Sequence, residues 1–321
     1  MTSVTTVILA AGKGTRMKSD RPKVLHPLAG QPMLTYVIGL ARAAADGKII
    51  VVVGHHADEV IQAFKKEKGL TFVIQKPQRG TAHAVLSARK ALGASHGTIL
   101  ILGGDAPLVT KDSIRALLFL HRTEKAHLTV LTAILPDPAG YGRVLRDSEG
   151  RILRVVEEKD ATPEELEVKE VNSGIYAVEV DFLYPALRKI RRENAQGEYY
   201  LPDIVRLANE RGHGALGLVA DDPREIMGIN TRVDLAKAEG IIRRRIVETH
   251  MLNGVTVMDP PSTTIDADVR IGNDTLLYPQ CILRGRTFVG KGCVVEPGAI
   301  ITDSTLHDGA VVRAYSVIEE S

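Results

Sequence analysis

From Ile265 to Ile301 an aliphatic residue recurs at every sixth position, through Ile271, Leu277, Leu283, Val289 and Val295. The fifth place of each hexad is small: Val269, Thr275, Cys281, Thr287, Cys293 and Ala299. A helix repeats every 3.6 residues and a half-buried strand every 2, so neither explains a period of six. The period fits a parallel β-helix, in which each hexad supplies one wall of a three-sided coil and turns its aliphatic and small residues inward. Leu306, Val312 and Ile318 continue the pattern after a one-residue slip. About three coils are therefore predicted, close to the minimum for a stacked core. Cys281 and Cys293 occupy the small slot and are read as packing residues rather than redox groups. With only two cysteines, a disulfide framework is excluded, and their spacing is not that of a metal site.

The first 228 residues differ in kind. Short apolar runs at Val4–Ala10, Lys48–Gly54, Leu70–Gln75, Thr98–Gly103 and Leu128–Leu135 alternate with helical segments at Met33–Ala45, Thr81–Leu92 and Lys111–Arg122. Helices long enough to cross over between strands predict an α/β fold with a mostly parallel sheet. Ligands of such a sheet bind at the carboxyl ends of its strands. Thr231-Arg-Val-Asp234 reads as a capping box opening a helix to Leu252, and Asn253-Gly254 ends it. The expected organisation is an α/β domain over 1–228, a linker helix over 229–252 and a short β-helix over 253–321.

A net charge of +2 provides no field that would recruit nucleic acid. The apolar run Val7–Ala11 is too short for a membrane span and has no basic region before it, so it is not a signal peptide. A cytoplasmic protein without membrane insertion is expected. His55-His56 is not read as a metal site, because adjacent strand residues point to opposite sides and no third ligand is evident. Arg243-Arg-Arg245 is read as a solvated helix face or a subunit contact.

The stretch Leu9-Ala-Ala-Gly-Lys-Gly-Thr-Arg-Met17 follows the first apolar run and suggests a phosphate loop. It lacks the G-x-x-x-x-G-K-[ST] spacing of a Walker loop. It also places Met17 where a dinucleotide fingerprint needs a small residue. What remains is a small-residue loop whose amides can approach a nucleotide, with Arg16 and Lys23 as cations for its phosphates.

That stretch, continued through Ser19-Asp-Arg-Pro-Lys-Val-Leu-His26, closely resembles the opening motif of the GlmU family. Its members are bifunctional N-acetylglucosamine-1-phosphate uridylyltransferases and glucosamine-1-phosphate acetyltransferases. The resemblance recurs at Gln75-Lys-Pro-Gln-Arg-Gly-Thr-Ala-His83, Gly104-Asp-Ala-Pro-Leu108, Gly140-Tyr-Gly-Arg143, Val156-Glu-Glu-Lys-Asp160, Val171-Asn-Ser-Gly-Ile175, Gly197-Glu-Tyr-Tyr200 and Gly228-Ile-Asn230. It spans nearly the whole chain. The Leu-Ala-Ala-Gly opening, in place of Leu-Ala-Gly-Gly, favours the uridylyl branch.

The resemblance implies a Rossmann-like nucleotidylyltransferase domain followed by a left-handed β-helix. It also implies transfer of the uridylyl group of UTP to N-acetylglucosamine 1-phosphate, with release of pyrophosphate, for cell-envelope precursor synthesis. Arg16 and Lys23 would be catalytic, and Mg2+ would be held by Asp105 and Asn230. Asp105 ends an apolar run where a strand opens into a cleft, although it could equally be a turn residue before Pro107. Asn230 could equally be a helix cap beside Thr231. Leu9, Ala10, Ala11, Gly12, Gln75, Gln78, Gly80 and Thr81 would meet the nucleotide. A glutamine amide can pair with an imide edge as donor and acceptor. Gly142, Glu157, Asn172 and Tyr200 would meet the sugar, with Thr81 also on that side, while Glu158 is read as a solvated strand residue. A homotrimer through the β-helix is implied as well.

Three departures from the family stand out. Gly103 replaces a tyrosine, and Pro202 replaces a threonine and offers no hydroxyl. The chain given ends at Ser321, before the coils and tail that hold the family's acetyltransferase site, so acetyl transfer is not expected. Two rival readings follow: a non-catalytic sugar-nucleotide binding or scaffold protein, and a uridylyltransferase for another sugar 1-phosphate such as glucose 1-phosphate.

Overall fold

The computed structural model describes residues 3–93 and 97–321. The chain divides into two compact units, Met1–Leu25 with Met33–Thr231, and His26–Pro32 with Arg232–Ser321.

The first unit is built on a sheet of nine strands among the described residues. Its main order is Leu216–Val219, Leu128–Ile134, Glu170–Glu179, Thr98–Gly103, Thr5–Ala10, Ile49–Val53 and Leu70–Ile74. Neighbours along this path are parallel except where Glu170–Glu179 runs against both of its partners. Arg143–Arg146 extends from that strand and pairs in turn with Ile152–Val156. All five predicted strands are present, each within one or two residues of the apolar run that marked it.

Alternation along the strands divides the core between the two faces of the sheet. Val7, Ile50, Ile99, Ile101 and Val178 pack in one cluster with the helices Thr81–Ser87, Val180–Leu187 and Asp203–Glu210. Ile8, Val51, Val53, Leu100 and Leu102 pack in the other with Met33–Ala44 and Lys111–Thr123. The helix predicted over Thr81–Leu92 is interrupted at Ala88. There the Ser87 hydroxyl donates to the His83 carbonyl at 2.8 Å, and the backbone N–H of Ala88 turns to Val85 instead. Side-chain bonding back to i−4 competes with the helical ladder.

The strand order reverses between Thr5–Ala10 and Thr98–Gly103, whose neighbours continue in opposite directions. At such a switch point the loops leaving the carboxyl ends diverge and open a crevice. The phosphate-type loop and Asp105 both emerge there.

In the second unit, short strands stack into three parallel ladders. The first runs Thr256–Val257, Leu276–Leu277, Val294–Val295 and Val311–Val312. In this ladder Val257 and Leu277 lie 20 residues apart, Leu277 and Val295 18, and Val295 and Val312 17, the last step being the one-residue slip seen in the sequence. Ile265, Leu277, Leu283, Val289, Val295 and Ile301 are fully buried, as are Thr275, Cys281 and Ala299. This is the short, hexad-built left-handed β-helix predicted above. Ile271 is only partly buried.

The helix Arg232–Leu252 and the hairpin Pro27–Leu28/Gln31–Pro32 group with these coils. Ala29 and Gly30 form the hairpin turn with φ of 41° and 82°, the positive pair that a tight two-residue turn requires. The Ala29 N–H donates to Glu239 Oε2 at 2.7 Å, and its carbonyl accepts from the Ala267 N–H at 2.9 Å. A side chain at position 30 would meet the Asp266 carboxylate at 2.7 Å. Among the described residues, no helix is long and apolar enough to cross a membrane.

Candidate active site

A cleft of about 500 Å3 opens in the first unit at the switch point. Leu9, Ala10, Ala11, Gly12, Arg16, Lys23, Gln75, Gln78, Gly80, Thr81, Asp105 and Asn230 all line it. Residues widely separated in sequence are thus brought to one wall.

The loop after Ala10 turns through Gly14, at φ 63°, into the single turn Thr15–Met17. Met17 is buried and pins that turn, while Arg16 stays exposed toward the cleft. A Cβ at Gly14 would lie 2.9 Å from the Lys23 Cβ. The loop backbone therefore packs against the lysine stem, and only glycine allows that approach.

The Lys23 side chain is 12% exposed. Its ammonium donates to Asp105 Oδ2 at 2.5 Å and to Asn230 Oδ1 at 3.1 Å. The Ile229 N–H donates to the Asp105 carbonyl at 2.9 Å, which holds Asn230 beside Asp105. Gly104 makes the strand exit possible: its N–H donates to the Leu9 carbonyl, and a side chain there would press on Ala10 at 3.1 Å. A carboxylate oxygen and an amide oxygen thus face one cation. Among the described residues, no group of three or more His, Cys, Asp or Glu side chains is placed to hold a metal ion. A metal bound at this pair would complete its shell with water and substrate oxygens.

The two glutamines are tied down differently. The Gln78 amide donates to the Ala11 carbonyl at 3.1 Å, close above Gly54, where a Cβ would lie 2.4 Å from it. Gln75 is 4% exposed, and its amide donates to the Gly80 carbonyl and to His83 Nδ1, both at 3.0 Å. His83 must then be neutral at Nδ1, which agrees with burial, aided by Arg79, lowering its pKa. Gly80, at φ 104°, lies against the Tyr199 backbone, where a Cβ would meet the carbonyl oxygen at 2.6 Å. The Tyr199 carbonyl accepts from Ala82, and the Leu201 N–H donates to Thr81 Oγ1 at 2.9 Å. The Gln75–Thr81 and Gly197–Tyr200 motifs are therefore bonded side by side.

The residues expected at the sugar form a neighbouring group. The Asn172 N–H donates to the Gly142 carbonyl at 2.9 Å, and Asn172 Oδ1 accepts from the Tyr176 hydroxyl at 3.0 Å. Glu157 Oε1 would lie 3.4 Å from a Cβ at Gly142. Burial raises the Glu157 pKa, and the nearby charges of Asp160, Asp203 and Glu158 add to the effect. The Tyr200 hydroxyl accepts from Gln196 at 2.8 Å. Glu158, read as a strand residue, instead begins a short 3-10 turn, and its carboxylate accepts from the Gly140 N–H at 2.8 Å. The strand has ended by then, and the glycine-rich turn supplies a free donor.

Lys13, Ser173, Gly174 and Glu198 also line the cleft without having been singled out from the sequence. Ser173 and Gly174 lie in a register shift between Asn172 and Tyr176, and such a bulge turns residues out of a strand. A serine-glycine pair inside a strand was the available signal. His55 and His56 do not point to opposite sides: their rings meet edge to face at 4.0 Å, because His56 takes φ 54° to start the next helix. His56 Nδ1 pairs with Glu59 at 2.6 Å.

Residues 6–158 match the MobA-like NTP transferase domain. The chain is 49% identical to the bifunctional protein GlmU of Trichlorobacter lovleyi over 315 residues, covering 98% of this chain and 68% of that protein. It is 46% identical to that of Pelobacter propionicus over 321 residues, 100% of this chain and 70% of that one. A crystal structure of UDP-glucose pyrophosphorylase complexed with UDP-glucose superposes with a TM-score of 0.62 at 17% identity, covering 76% of this chain and all of that one. That likeness speaks for the fold alone. With its cleft at the switch point and its sequence shared along almost the full length, the chain belongs to the GlmU family and carries a nucleotidyltransferase domain.

Proposed function

We propose that this protein transfers the uridylyl group of UTP to N-acetylglucosamine 1-phosphate and releases pyrophosphate. The observation that carries the reading is the meeting of Lys23, Asp105 and Asn230 in the cleft beneath the Leu9–Arg16 loop. A sugar phosphate is already an ionised nucleophile. Its oxygen forms a bond to the α-phosphorus of UTP as the bond to the β-phosphate oxygen breaks. The protein must bring two anions together in line and offset the developing charge. Arg16 and Lys23 supply fixed cations for the phosphates, and the amides of the loop supply donors.

Gln78 and Gln75, with the backbone near Ala11 and Gly80, form the wall against which the uracil edge lies. Glu157, Asn172, Gly142 and Tyr200 receive the sugar: the Glu157 carboxylate accepts from hydroxyls, and Asn172, whose amide oxygen is taken by Tyr176 and Gly174, donates from its NH2 group. Asp105 and Asn230 suit Mg2+, because two oxygen donors leave such an ion most of its waters. When bound, Mg2+ supplies charge neutralisation across the phosphates. The product fits the cell-envelope precursor route implied by the family resemblance, and a cytoplasmic setting goes with it.

Incubation with UTP, Mg2+ and N-acetylglucosamine 1-phosphate is expected to release pyrophosphate. Release no greater than that of Asp105→Ala would overturn the reading. Running glucose 1-phosphate beside it decides the sugar. UDP-sugar binding by calorimetry with no pyrophosphate release would instead favour a scaffold. A homotrimer through the second unit is part of the proposal, supported by exposed Phe288, Val311, Tyr315 and Val317 on its coils. Light scattering at micromolar concentration tests it, and a monomer would refute it.

A further inference from the structure

The ammonium of Lys23 stands where the expected divalent ion would bind. It touches Asp105 Oδ2 at 2.5 Å and Asn230 Oδ1 at 3.1 Å. An ion bonded to both oxygens at about 2.1 Å would fill the same volume. Two cations cannot share it, because their repulsion is strong at such separations in a partly enclosed cleft. The lysine therefore has to leave before a metal can settle.

The direction of that movement is constrained. The Lys23 Cβ is packed on the backbone of Gly14, so the start of the side chain is fixed and only its outer torsions can swing. The same cleft wall carries Lys13, Thr15 and Arg16, the loop on which phosphates would lie. An ammonium swinging away from Asp105 on that fixed stem has this loop within the same cleft to turn to.

We propose that Lys23 is a displaceable cation: its ammonium holds Asp105 and Asn230 together, gives up both oxygens when a divalent ion binds, and then turns to the nucleotide phosphates. The proposal rests on the reading of Asp105 and Asn230 as metal ligands. Lys23 thereby makes metal alone bind weakly, since a charge-assisted hydrogen bond must first be broken. Nucleotide phosphates give the displaced ammonium a new partner, so metal and nucleotide strengthen each other's binding by the same factor.

The test is Mn2+ binding followed by electron paramagnetic resonance without nucleotide, on the wild type, Lys23→Met, Lys13→Met and Asp105→Asn. Lys23→Met is expected to bind Mn2+ roughly ten-fold or more tightly than wild type, the scale of one hydrogen bond to a charged group. Lys13→Met removes a like charge from the same cleft without touching Asp105, and should change affinity by about three-fold or less because exposed charge is screened. Equal affinity of Lys23→Met and wild type, or an equal gain in Lys13→Met, would overturn the displacement while leaving the metal site standing. If no variant binds Mn2+ in a way that Asp105→Asn abolishes, the metal reading fails and the proposal falls with it. Lys23→Gln serves if circular dichroism shows Lys23→Met unfolded. Wild-type protein gives a further check: Mg2+ should speed acetylation of Lys23 by an amine-directed reagent, mapped by mass spectrometry against Lys13, and slower or unchanged labelling would count against displacement.

Discussion

The Glu225 carboxylate accepts from the Thr110 backbone N–H at 3.1 Å, from the Thr110 hydroxyl at 3.1 Å and from the Ser113 hydroxyl at 2.6 Å. Glu225 is 7% exposed and sits at the start of the helix Lys111–Thr123, where the free amides and the helix dipole favour a negative charge. The same carboxylate fixes the turn Pro223–Ile226, five residues before Asn230. Glu225→Ala should therefore cost about 2 to 3 kcal/mol of stability, since charged hydrogen bonds are lost and buried donors are left unpaired. Denaturant unfolding measures the loss. A shift of the Mg2+ dependence of pyrophosphate release to higher concentration, with UTP affinity unchanged at saturating Mg2+, would support a role of the turn in positioning Asn230.

Gly80 has φ 104° and lies against the Tyr199 backbone. Gly80→Ala is expected to cost about 2 kcal/mol, because both the backbone conformation and the 2.6 Å approach oppose a Cβ. The pairing of the Gln75–Thr81 loop with the Gly197–Tyr200 segment should loosen, raising the KM for UTP by roughly ten-fold or more. A KM equal to that of wild type, with stability lost, would confine the role of Gly80 to folding.

The legibility of these features in the sequence follows from the range of the interactions that make them. The hexads were visible because each coil repeats the same two inward slots, so one pattern is written many times over. Asp105 could be placed at a strand end because an apolar run ends beside it, while its role came only from the family motif. Asn230 stood out only through the family motif, since its place depends on a bond from Ile229 to a strand end more than a hundred residues earlier. The hairpin His26–Pro32 gave no local sign of its grouping with the coils, because what holds it is Glu239 and Ala267. Glu225 has no local sequence sign of its burial, which depends on Thr110 and Ser113. The bulge at Ser173 and Gly174 has a local signal in that serine-glycine pair, but it acquires meaning only within the strand Glu170–Glu179, which the apolar runs did not mark.

Cys281 and Cys293 are buried in the coil interior, at 0% and 1% exposure. Burial also raises the Cys281 pKa, which keeps its thiol protonated and unreactive. A disulfide-exchange reagent should find neither thiol in the native protein and both after unfolding in guanidinium. Fast labelling at neutral pH in the absence of denaturant would show that the coils open.

Glu157 carries the opposite tension, between stability and use. Its folded pKa is raised above the ordinary 4.5 by burial first, then by Asp160, Asp203 and Glu158. Between 4.5 and the raised value the folded state binds more protons than the unfolded one, so stability falls as pH rises through that window. The contribution is fully present below pH 4.5 and gone once Glu157 is ionised in the folded protein. At pH 8, Glu157→Gln should therefore unfold at higher denaturant concentration than wild type, and the difference should shrink as the pH is lowered. The same change removes a charged acceptor for sugar hydroxyls, so the KM for the sugar phosphate should rise by roughly ten-fold while that for UTP stays near its wild-type value. Greater stability with unchanged sugar affinity would mean that the carboxylate is strained for some purpose other than holding the sugar.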